Sequence, residues 1–112
     1  MKSDEIIEKI RNRLKDADPD KRTVMSTFQF NFTDADGKLI KSMVFDFKAL
    51  DIYEGQTANA DGRITIADED FYLIGTKQTS FDQVVAEQKA QIDGDSDAIN
   101  SMMAKFRLNS PN

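Results

Sequence analysis

The chain has 112 residues, of which 39% are apolar and 31% charged; that mix fits a soluble globular domain and excludes a disordered or membrane-spanning chain. It contains no cysteine and no histidine, which removes disulfides, thiolate metal sites, cysteine nucleophiles and most catalytic triads and transition-metal centres. The net charge of −5 argues against general nucleic-acid binding, and it is uneven: ten Lys/Arg stand against nine Asp/Glu in residues 1–48, and five against eleven in 49–112, so an anionic ligand group is expected near the N-terminal half.

One domain over residues 1–112 is expected from this length. Ser3 is placed to cap a helix whose first turn carries Asp4 and Glu5, where the helix dipole favours negative charge. Ile6, Ile7, Ile10 and Leu14 form its apolar stripe to about Lys15, and Arg13 lies in its last turns. Asp18-Pro19 stops that helix and can open a further short turn.

Val24, Phe28, Phe30 and Phe32 then alternate with mostly polar residues, the period of a strand with one face in a core. Asp34-Ala35-Asp36-Gly37-Lys38 supplies a turn with Gly37 able to take positive φ, and a second strand follows. Its core face is expected to carry Leu39, Met43, Phe45 and Phe47, with Ile40, Ser42, Val44, Asp46 and Lys48 toward water. Short strands are expected at 50–53, 63–66 and 89–93. Asp68-Glu69-Asp70 reads as a cap and acidic first turn of a helix containing Phe71, Leu73 and Ile74, with Gly75 as a left-handed C-cap. Ser80-x-x-Gln83 is a capping box ahead of Phe81, Val84 and Val85. Ile99, Met102, Met103 and Phe106 recur at helical spacing in the last element. The order predicts an α+β fold: a five-stranded mixed sheet with about five helices over one face.

Catalytic machinery is not visible in the sequence. Asp93-Gly94-Asp95-Ser96-Asp97 fails as a calcium loop, because Ala98 and Ala104 stand where an EF-hand needs Gly and Glu. No Gly-rich phosphate loop and no Gly-x-Ser-x-Gly elbow occurs, so no cofactor, no metal and no enzymatic activity are expected. Met102 and Met103 suit either a plain core or a wall that adapts to variable apolar partners. Arg13 and Arg22, one ending the first helix and one entering the Phe-rich strand, could fork a carboxylate between them.

The chain resembles the sterol carrier protein 2 domain family, most of all its short stand-alone insect members. The resemblance is carried by Ser3-Asp4-Glu5, Arg13-Leu14, Asp18-Pro19 with Arg22-x-Val24, Val44-Phe45-Asp46-Phe47-Lys48, Ile64-Thr65-Ile66 running into Asp68-Glu69-Asp70, Ile74-Gly75-Thr76 and Ile92-Asp93-Gly94. Met43 stands where the family often has tryptophan, and Gln88-Lys89-Ala90 where it has Gly-Lys-Leu. The resemblance implies an apolar tunnel between sheet and helices that holds fatty acids, fatty acyl-CoA or sterols. Arg13, Arg22, Thr23 and Val24 would then hold the acid head group. The tunnel wall would include Phe30, Phe32, Phe45, Phe71, Ile74, Val84, Met102, Met103 and Phe106, with the last helix as lid. A long-chain fatty acid or similar lipid, transient membrane contact, and a monomer or ligand-dependent dimer are the partners so implied. The opening residues lack a hydrophobic region and Asn109-Ser110-Pro111-Asn112 is not a Ser-Lys-Leu address, so a cytoplasmic location is expected. The rival expectation is a protein-interaction module that buries the same apolar wall without lipid.

Overall fold

The computed structural model describes residues 1–16, 20 and 26–108, with side chains described to residue 104. The described elements run α1 (Asp4–Asp16), β1 (Thr27–Thr33), β2 (Leu39–Asp46), β3 (Asp51–Glu54), β4 (Gly62–Ala67), α2 (Asp68–Gly75), α3 (Phe81–Ala86), β5 (Ala90–Gly94) and α4 (Ser96–Leu108). The strands form one sheet in the order β3-β2-β1-β4-β5, antiparallel except for the β1–β4 pair, so the expected mixed five-stranded sheet is present. Four helices are described rather than about five. The additional turn expected at Asp18-Pro19 and the strand start at Val24 lie outside the described residues.

Period-two patterning places the apolar wall. Phe28, Phe30 and Phe32 on β1 stand opposite Phe45, Met43 and Lys41 on β2, and opposite Gly62, Ile64 and Ile66 on β4. Apart from Lys41, the side chains of these rows are buried under the helices. Ile6, Ile7 and Leu14 of α1, Phe71 and Ile74 of α2, Phe81 and Val84 of α3, and Ile99, Met102 and Met103 of α4 close over them in one cluster. At about 25 cal/mol per Å² of apolar area removed from water, this cluster is the main source of folding free energy.

Two residues of β2 differ from expectation in burial. Phe32 pairs with Lys41 and Thr33 with Leu39, leaving Ile40 as the extra residue of a β-bulge. The bulge turns Leu39 away from the core, and it is 56% exposed. Val44 was expected to face water and is instead fully buried. Gly55 N–H continues the β2–β3 ladder to the Ser42 carbonyl at 2.9 Å, and the chain then crosses that face, where Thr57 N–H donates to Gln29 Oε1 at 3.0 Å. Beneath it, Gln29 Nε2 and Ser42 Oγ both donate to Asn31 Oδ1 at 2.9 Å, so the buried Gln29 amide and the half-buried Asn31 amide are both hydrogen-bonded.

The turns follow their local chemistry in most places. Gly37 has φ of 83°, and Asp34 Oδ1 accepts from the N–H groups of Asp36 and Lys38 at 2.9 Å. Ser80 caps α3 by accepting from Gln83 N–H at 3.1 Å. Gly75 is not the left-handed C-cap expected of it; the positive φ after α2 is at Lys77. What requires glycine at 75 is a neighbour: a Cβ there would lie 2.5 Å from Ile6 Cγ2.

Candidate functional site

Apart from Phe106, the residues expected to form the wall share one buried core cluster. Phe30, Phe32, Phe45, Phe71, Ile74, Val84, Met102 and Met103 are all buried and belong to a single cluster. Phe30 is its hub: its ring stacks on Phe45 with centroids 4.6 Å apart and on Phe32 at 6.0 Å, and meets Phe71 edge-on at 5.6 Å. Phe71 in turn meets Phe32 at 5.1 Å and Phe81 at 6.1 Å. The cluster is built from carbon and thioether groups of helices α1 to α4 and strands β1 to β4.

Several further aromatic and aliphatic residues belong to the same buried cluster. Phe28 is fully buried and meets Phe47 at 5.8 Å, and Phe81 meets Phe30 at 6.3 Å. Phe28 shares the alternation that singled out Phe30 and Phe32, and Ile99 shares the spacing of Met102 and Met103, so both were available from pattern alone. The Phe106 side chain lies outside the described residues.

The head-group set is only partly visible. Arg13 lies in the last turns of α1 and is exposed; Arg22, Thr23 and Val24 lie outside the described residues.

Helices α1 and α2, which carry part of the wall, are tied at their starts. Asp68 was expected to cap its own helix; instead its carboxylate accepts from Lys2 N–H at 3.0 Å and Ser3 N–H at 2.7 Å, while Ser3 Oγ donates to the Asp68 carbonyl at 2.8 Å. The hydroxyl of Ser3, expected to cap α1, is thus used between helices. Lys2 Nζ also pairs with Glu69 at 2.6 Å, a contact that raises the lysine pKa through hydrogen bonding and charge. At Asp4, burial pushes the carboxyl up, but the Met1 ammonium and Lys41, each at 3.1 Å, outweigh it and hold the pKa below its ordinary value. Among the described residues no group of His, Cys, Asp or Glu is arranged to hold a metal, and no helix is long and apolar enough to cross a membrane.

Comparison with known proteins places this architecture. Residues 7–107 match the model of the SCP-2 sterol transfer family. The crystal structure of sterol carrier protein-2 like-3 from Aedes aegypti is similar, at 32% identity and a TM-score of 0.83 over 96% of this chain and 98% of that one. The solution structure of sterol carrier protein-2 from the same organism, in complex with the C16 fatty acid palmitate, is similar at 31% identity and 0.82, over 95% and 94%. The palmitated form of SCP2L2 from Aedes aegypti is similar at 26% identity and 0.80, over 96% of each chain. No curated protein sequence matches. A buried aromatic wall between one mixed sheet and its helices, and a family match over nearly all of its length, establish that the chain belongs to the SCP-2 sterol transfer family.

Proposed function

We propose that the chain is a non-enzymatic carrier of long-chain fatty acids, with fatty acyl-CoA and sterols as further cargo, moving them between membranes in the cytoplasm. The observation that carries this reading is the ring cluster around Phe30, buried between sheet and helices in a fold whose similar structures include palmitate complexes. Burying a methylene is worth roughly 0.8 kcal/mol, so a palmitoyl chain grosses on the order of 12 kcal/mol before the costs of association and of parting the rings. Apolar burial therefore supplies the affinity, and polar groups supply orientation.

Arg13, Arg22 and the backbone at Thr23 and Val24 are the proposed seat of the carboxylate, in keeping with the resemblance and with the cationic balance of the N-terminal half. The experiment is palmitate titration of an Arg13→Ala/Arg22→Ala double variant. Affinity about tenfold weaker or more, with the fold intact by circular dichroism, supports the seat, in line with the strength of charge-assisted pairing. Unchanged affinity removes it. Incubation with palmitoyl-CoA is expected to release no free thiol, and release would contradict the non-enzymatic reading.

A further inference from the structure

A cleft of about 340 Å³ opens between β5 and the first turns of α4, lined by Ile92, Asp93, Gly94, Ser96, Ile99 and Asn100. Its size falls in the range of small-ligand sites. It exists because β5 is an edge strand while α4 packs over β4 and against α3, so the outermost strand is left partly uncovered. Helix α4 is pinned at its start: Asp95 N–H donates to the Asp61 carbonyl at 2.8 Å, and Asp95 Oδ1 accepts from Asp97 N–H at 2.9 Å. The chain reaches that pin through Gly94, where φ is 118° and a Cβ would lie 2.4 Å from the Asp61 carbonyl oxygen. The mouth of the cleft is thus fixed by backbone.

Its floor leads inward. Ile92 pairs with the fully buried Ile64 across β4 and β5, and is half-buried on the helix side. Ile99 and Phe28 both lie over Gly62, with Ile99 Cγ1 2.9 Å and Phe28 Cδ1 3.0 Å from where that residue would carry a Cβ. Phe28 belongs to the same buried cluster as Phe30. The rim offers no cation: none of the six lining residues is one, and by strand alternation the Asp93 side chain leaves on the Gln91 face, across from Arg63.

Resting on the carrier reading above, we infer that the β5–α4 cleft is the route by which the hydrocarbon chain enters and leaves, methyl end first. A rim without a cation gives an anionic head group no partner, whereas a methyl terminus finds Ile92 and Ile99 and then Phe28. A route differs from a seat in a measurable way. Equilibrium affinity depends only on the free and bound states, so an obstruction on the route slows uptake and release by the same factor and leaves Kd unchanged.

The test is stopped-flow binding of cis-parinaric acid, a fluorescent polyene fatty acid, to the whole chain. Asn100→Trp and Ser96→Trp place a large ring in the cleft from exposed positions of α4, and Gln91→Trp, on the other face of β5, is the control. Uptake and release both slowed about tenfold in either cleft variant, with Kd within about twofold and the control at wild-type rates, is the expected result for gating of a passage. Rates unchanged in both cleft variants, or affinity lost with the uptake rate preserved, overturn the route while the carrier reading stands. No binding by the wild-type chain overturns both.

Discussion

Ser3 and Asp68, 65 residues apart, exchange two hydrogen bonds: the Ser3 N–H reaches the Asp68 carboxylate at 2.7 Å, and the Ser3 hydroxyl reaches the Asp68 carbonyl at 2.8 Å. Ser3 is completely buried, so its N–H and hydroxyl have exchanged water for the partly exposed Asp68. The pair fixes where α1 begins relative to α2, and with it the Ile6, Ile7, Phe71 and Ile74 side chains of the wall.

Asp68→Ala leaves the N–H groups of Lys2 and Ser3 without that acceptor. Bonds to a charged acceptor are worth roughly 1.5–3 kcal/mol, and a buried donor left unpaired costs a similar amount. The variant is expected to unfold in urea at a lower midpoint by about 2 kcal/mol, with an unchanged slope. A loss below a few tenths of a kcal/mol would show the bond exchange to be dispensable.

Gly75→Ala drives a methyl into Ile6, whose Cγ2, Cδ1 and Cγ1 lie 2.5, 2.6 and 2.6 Å from the new Cβ. Overpacking of this kind costs about 1–3 kcal/mol. Ile6→Ala, which removes all three of those atoms, is expected to make Gly75→Ala less costly than it is in the wild-type chain, so that the double-variant cycle has a non-zero coupling energy. Additive losses would place the cost in the backbone rather than in the contact.

Phe30→Ala removes the hub ring and is expected to cost about 3–5 kcal/mol, a large share of the stability of any small domain. Chemical denaturation measures it. A cost below about 1 kcal/mol would mean that the cluster is loosely packed around that ring.

The depressed pKa of Asp4 makes stability depend on pH in a known direction. Its contribution is fully present above the unfolded value near 3.8 and is lost as pH falls through the lower folded value. Asp4 is half-exposed and so is worth on the order of 0.5 kcal/mol. Asp4→Asn is expected to unfold slightly earlier than wild type at pH 6, and that gap should close as pH falls below 3.8. A gap that persists in strong acid would point to packing instead of charge.

The strands and the wall were legible because their signals are local and periodic. Phe28, Phe30 and Phe32 alternate, Met102 and Met103 follow Ile99 at helical spacing, and Gly37 occupies the turn that needs it. The features that escaped are set by partners remote in sequence. The bulge at Ile40 carries no glycine to announce it, yet it turns Leu39 out of the core. Val44 stands beside Gln29, which bonds to Thr57 of the segment after β3, and no pattern inside β2 encodes that return of the chain. Gly75 answers to Ile6, and Asp68 to Lys2 and Ser3, contacts that exist only once α1 and α2 are docked. The head-group residues other than Arg13 fall outside the described residues and rest on the resemblance.

The most direct test of lipid carriage is native mass spectrometry of gently purified protein, with extraction and identification of whatever co-purifies. The account predicts a long-chain fatty acid bound at about one per chain, or taken up on adding palmitate to a delipidated sample. A clean unliganded mass that stays unchanged with excess palmitate would contradict it.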